Sequence, residues 1–245
     1  MVVAAAIGGL SFLVVCIVGG ARLLALARRS RGLPELVLGS GLLLLGGVAT
    51  PMGIAARLAT GLGVEIRAAL LCGQEILMAL GLGGFALFTH RVFRPRAGWA
   101  RGLAAAIPAG MLLAILATAL GQGHAAELRA PGPGYVGQQV LGLVALSWTS
   151  WEALRYGLQM RRRLALGLAD PVVVDRLLLW GGGVGVATLM SLTTGVAQLR
   201  GVDLQATIAG AAFVGVSGVI AAGAIYLAFF PPVAYTRWVA ERASR

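Results

Sequence analysis

Lysine is absent from this 245-residue chain, histidine and cysteine occur twice each, and only 12% of residues are charged. Each shortage excludes something. Without a lysine amine no Schiff base to an aldehyde such as retinal can form, so a working retinal pigment is ruled out. The two histidines, His90 and His124, fall at opposite ends of the apolar segments. That leaves neither paired axial ligands for a haem in the bundle nor a multi-histidine zinc site. Cys16 and Cys72 both lie inside apolar runs, where neither a structural disulfide nor a thiolate metal centre is expected. No metal or cofactor is therefore expected.

A soluble domain carries about 25% charged residues. Half that share, with a mean hydropathy of +0.87, marks a membrane protein. The net charge of +11 comes entirely from arginine. Those arginines gather at the ends of apolar runs, which is a topology signal and not a phosphate-binding surface, so no nucleic-acid partner is expected. An all-arginine basic complement with abundant Ala, Gly and Leu points to a GC-rich bacterial genome.

Seven apolar segments, 3–25, 35–57, 66–90, 99–121, 136–160, 176–199 and 205–230, are each long enough to cross ~30 Å of hydrocarbon as a helix. The expected fold is all-α, a seven-transmembrane-helix bundle forming one domain over 1–245. Residues 231–245 form a short juxtamembrane tail, where Tyr235, Trp238, Arg237 and Arg242 would sit at headgroup level. The first segment carries its basic residues after the apolar run, as a span does and a cleavable signal does not.

With the N-terminus outside, all arginines but Arg57, Arg67, Arg129 and Arg200 fall on inner segments. The positive-inside rule then gives N-out, C-in in a bacterial cytoplasmic membrane. Gly32-Leu33-Pro34, residues 94–98 and residues 130–134 punctuate the spans, and Pro51 and Pro108 fall within two of them. The longest connection, Gly121 to Gly134, lies outside; it is either a cover for an outward mouth or a plain connector.

Intramembrane carboxylates cost ~2.5–3.5 kcal/mol on insertion scales, so each needs a reason. Ala68, Cys72, Glu75, Ala79, Leu82 and Ala86 recur at helical spacing, placing Glu75 on a small-residue face suited to close packing. Thr50 and Ser191 fall at a similar depth, with Gln74 beside them. A polar layer open to the outside would bind a small ligand; the plain alternative is hydrogen bonding between helices.

In the fifth segment Gln138, Gly142, Ala145, Thr149, Glu152, Tyr156 and Gln159 share one stripe, a face turned into a bundle. Glu152 has Arg155 within helical reach for an ion pair. Trp148 and Trp151 flank it, as a pocket wall or as ordinary packing.

Catalytic readings fail on residue type. No histidine is expected at membrane depth for Ser–His–acid hydrolysis. Gly181–Gly185 lacks the Lys-Ser/Thr of a phosphate loop and lies inside a span. An enzyme is not expected.

Arg28-Arg29, Pro34, Glu35 and 42–48 run parallel to Arg161-Arg162-Arg163, Pro171, Asp175 and 177–184. A repeat of that kind resembles, in layout alone, the 3+1+3 arrangement of SWEET-class sugar transporters; the proline-glutamine signature of that class is missing. The expected function is a receptor-like sensor whose ligand enters from outside. A small-solute transporter, proton-coupled through Glu75 and Glu152, and an accessory subunit of a larger complex are the alternatives. Partners would be the lipid bilayer, a small ligand, and a membrane or cytoplasmic protein meeting the arginine-rich inner loops.

Overall fold

Prolines and capping side chains set the helix limits. The computed structural model describes residues 2–128, 130–202 and 204–243, without the side chains of 2–6, 205 and 243. Arg129 and Arg245 of the arginine pattern lie outside the described residues. Helix α1 spans Val2–Ser30 and stops where Arg31 turns left-handed (φ 52°). Pro34 then opens α2, Leu33–Leu58, because a first-turn proline gives up no hydrogen bond. Next come α3 (Val64–Phe93), α4 (Gly98–Leu120) and a one-turn α5 (His124–Glu127).

The remaining elements are α6 (Pro133–Leu164), α7 (Pro171–Leu199), α8 (Ile208–Phe229) and α9 (Val233–Ala243). Prolines start α6 and α7. Asp170 caps α7 by accepting the Val172 amide at 2.7 Å, and Thr207 caps α8 through the Gly210 amide at 3.1 Å. The helices at the arginine-rich end outrun the apolar segments: α1 continues to Ser30 and α6 to Leu164, and α7 already starts at Pro171. Arginine is a good helix former, so the backbone stays helical beyond the apolar run.

No strand occurs among the described residues. Six helices, α1, α2, α3, α4, α7 and α8, are long and apolar enough to cross a membrane, which points to a membrane protein. Helix α6 is as long as any, but Gln138, Gln139, Thr149 and Glu152 lower its hydropathy. It tolerates them because the face that carries them turns onto protein, packing on α3, α4 and α7.

The helices form a ring in chain order. Helix α1 packs on α2, α2 on α3, α3 on α4, α4 on α6, α6 on α7 and α7 on α8, and α8 closes the ring on α1. Across the middle, α3 meets α6. Small residues let the backbones meet: a Cβ on Gly8 of α1 would lie 2.7 Å from the Gly215 Cα of α8.

Pro51 has no amide for the carbonyl four residues back. The preceding stretch, Leu43–Ala49, widens into a π-helix, and the Thr50 hydroxyl donates to the Leu45 carbonyl at 3.0 Å. One core cluster joins Cys16, Leu42, Phe85, Trp180, Val184 and Ile225; a second joins Leu82, Ala104, Ile107, Met111 and Trp148 between α3, α4 and α6.

The polar stripe of α6 is buried at Gln138, Gly142, Ala145, Thr149 and Glu152, but Tyr156 and Gln159 are exposed. A straight helix drifts about 20° per heptad against a steps-of-four-and-three pattern. By the last turns the buried line has passed to Ala153 and Gly157. In the tail the Tyr235 hydroxyl donates to Asp175 of α7 at 2.7 Å. Burial first, then that hydrogen bond and the Asp175 charge, push its phenol up to about 12. Trp238 stays exposed with Arg242 over its ring, 5.4 Å from the centroid.

Candidate functional site

The last turns of α2 and α7 meet the first turns of α3 and α6 at the arginine-poor end of the ring, beside loops 59–63, 121–132 and 200–207. There they surround a cavity of about 520 Å³, within the range of small-molecule sites. Its walls change character with depth. Arg57, Gln74, Glu75, Tyr135, Gln138 and Gln198 supply polar groups near the chain-end loops. Leu82, Phe85, Leu146, Val184 and Ile225 form an apolar floor.

Packing and polar contacts hold these side chains in place. Arg57 Nη1 donates to Gln74 Oε1 at 3.2 Å and to the Gly53 carbonyl at 3.3 Å. The bare Cα of Gly53 leaves room for the Gln74 carboxamide, which a Cβ there would displace. Arg67 ties down the end of α2, donating from Nε to the Ala56 carbonyl at 2.8 Å and from Nη2 to the Arg57 carbonyl at 3.3 Å. On the far wall Gln139 Nε2 donates to the Ser191 carbonyl and hydroxyl, at 2.8 and 3.0 Å. The Tyr135 hydroxyl donates to Gln198.

Glu75 is 5% exposed and sits under α5. Its Oε2 is 3.2 Å from His124 Nε2, near enough for an ion pair without the alignment of a hydrogen bond. The side chains of Glu127 and Gln138 adjoin the same carboxyl, and the Arg57 charge acts on it. Glu127 in turn accepts from the Thr118 hydroxyl and the Tyr135 amide, both at 3.2 Å. The connection after α4 is thus fastened to α3, α4 and α6 by one acidic cluster. Gln138 Nε2 is buried with no hydrogen-bond partner in the protein, a donor that a polar solute can satisfy. Among the described residues no three His, Cys, Asp or Glu side chains are grouped to hold a metal ion.

The structure brings Thr50, Gln74, Glu75 and Ser191 to the wall of this one cavity. It leaves Trp148 and Glu152 outside it. Trp148 fills the α4–α6 seam, 5.8 Å from the Trp99 ring. Glu152, 5% exposed, pairs with Arg94 at 2.9 Å and not with Arg155, which is exposed. Arg94 lies at the end of α3, and the α3–α6 contact carries it across; helical spacing within α6 cannot reveal that partner.

Sequence reasoning missed Arg57, His124, Glu127, Tyr135, Gln139 and Gln198 as parts of the site. The unusual length of the Gly121 to Gly134 connection was the available signal for His124 and Glu127. His124 opens the one-turn α5 within that connection, and its imidazole turns inward onto Glu75. The arrangement offers donors and a carboxyl to a polar head and an apolar chamber to the rest of a molecule. Comparison of the chain with protein-family models, with curated proteins and with solved structures found no match in any of the three.

Proposed function

We propose that the chain crosses a bacterial cytoplasmic membrane seven times, N-out and C-in. In this reading it binds a small amphipathic molecule from outside in the Glu75 cavity and acts as a receptor-like sensor. The observation that carries the reading is the cavity itself: polar at the arginine-poor end, closed below by Phe85, Leu146 and Val184. Arg57 and Glu75 together suit a neutral or zwitterionic head. A ligand bridging α2, α3, α6 and α7 would shift helices whose other ends carry Arg94, Arg155 and the Arg161, Arg162, Arg163 run. Differential contact with two arrangements of the ring is what signalling needs.

Transport is the second reading, favoured by the likeness of 28–48 to 161–184, which a 3+1+3 repeat would explain. Proton coupling through Glu75 and Glu152 would need a polar path between them. The facing positions are Ala79, Leu82, Ala86, Gly142 and Ala145 until the Thr89–Thr149 hydroxyl pair at 2.8 Å. That apolar stretch supports binding over proton passage. An accessory-subunit role would be revealed by a stoichiometric partner in mild detergent.

The test is chemical. Protein purified in mild detergent is extracted with organic solvent and the extract analysed by mass spectrometry. Wild type is compared with Glu75→Gln and with Gly142→Phe, which fills the chamber. A small amphiphile present with wild type and depleted at least about tenfold in both variants is expected, as loss of a charged hydrogen bond or of space implies. Extracts that do not differ would refute ligand binding in this cavity.

A further inference from the structure

A second concavity lies at the other end of the molecule, on its outer surface. Helices α2 and α4 both pack on α3, and between them runs a groove of about 710 Å³. Gly83 and Gly84 lie at its floor, where their lack of side chains lets α4 and α2 pack closely on α3. Leu36, Leu44, Leu80 and Leu87 line its length, and Leu36 and Leu80 are each 47% exposed, so the groove opens away from the bundle towards lipid.

One end of the groove is basic. His90, Arg91 and Arg101 line it, and no carboxylate does. Neither arginine forms an ion pair among the described residues. His90 is only 5% exposed, and its Nδ1 has no partner in the protein. Pro108 lines the wall and cannot donate to the Ala104 carbonyl, also in the groove.

We propose that this groove binds one anionic glycerophospholipid, with an acyl chain along the leucines and the phosphate at Arg91, Arg101 and His90. A greasy channel ending in uncompensated cations has the charge and polarity order of such a lipid. A zwitterionic lipid would bring a quaternary amine to the same cations. Two guanidinium groups suit a phosphate through paired N–H donors. The His90 nitrogen supplies a third contact. The site is separate from the Glu75 cavity and does not depend on what binds there.

The test uses the full chain in detergent, titrated with phosphatidylglycerol or phosphatidylcholine of identical acyl chains and read by native mass spectrometry. Phosphatidylglycerol is expected to be retained preferentially. Arg91→Gln and Arg101→Gln should each weaken retention about fivefold, while Arg28→Gln, at the same end but outside the groove, should not. Both arginines are exposed, so the variants keep the fold. Ala105→Phe, at an exposed position on the groove wall, should displace the lipid. Equal retention of the two lipids, or retention indifferent to Arg91 and Arg101, would overturn the proposal. So would inorganic phosphate competing while Ala105→Phe has no effect, which would mark a free-anion site.

Discussion

At the scale of single residues, partnership explains most buried charge in this molecule. Glu152 is kept inside by Arg94, and the pair is half protected, the arginine side chain being 29% exposed. A double-mutant cycle on Glu152→Gln and Arg94→Gln should therefore give a coupling of about 1 kcal/mol, between surface and buried values; Arg155→Gln should be neutral. Reversible unfolding in mixed detergent measures both. Tyr235 offers a pH test. Its raised ionisation means that its hydrogen bond to Asp175 contributes fully below pH 10 and is lost as pH rises through about 12. The wild-type minus Tyr235→Phe tyrosinate difference spectrum should titrate near 12, and a midpoint near 10 would deny the contact. Glu75 was legible as a residue that needed company; who supplied it was not. His124 and Glu127 come from a loop, and no periodicity encodes where a loop side chain turns.

Elements are held by shape more than by polarity. Helix association in lipid depends on close packing, because the surrounding tails are as apolar as the side chains. The α1–α8 seam illustrates it, since Gly8, Gly215 and Gly218 let one backbone lie against the other. Gly215→Leu should cost about 1–3 kcal/mol by overpacking and should free α1 from the ring, seen as faster amide exchange in 8–30 alone among the long helices. The helix limits were readable because proline and glycine write them into the chain. Two features were not. The π-helical turn before Pro51 depends on how the freed carbonyls find new partners. The hidden face of α6 drifts away from the strict spacing by which it was recognised, so Tyr156 and Gln159 fall outside it. Short α5 has no sequence signature of its own, yet it covers Glu75.

For the whole molecule, composition alone points to a membrane protein, and the arginine asymmetry proposes which way it faces. The ring order, with α8 closing on α1 and α3 meeting α6 across the middle, follows from packing that a one-dimensional pattern does not contain. The same limit explains the site. Four of the six residues singled out share a cavity: Glu75, an intramembrane carboxylate, Gln74 beside it, and Thr50 and Ser191, found because depth along a span is countable in residues. The two that do not, Trp148 and Glu152, were chosen for chemical type. The proposed binding function requires a chamber that opens outward at the arginine-poor end. Substituted-cysteine labelling tests it directly, in a chain with Cys16 and Cys72 replaced by alanine and a membrane-impermeant thiol reagent added to intact cells. Ser191→Cys should be labelled from outside, and Leu166→Cys, in the loop between α6 and α7, only in inverted vesicles. Labelling of Leu166→Cys on intact cells, or of Ser191→Cys only in inverted vesicles, would contradict it.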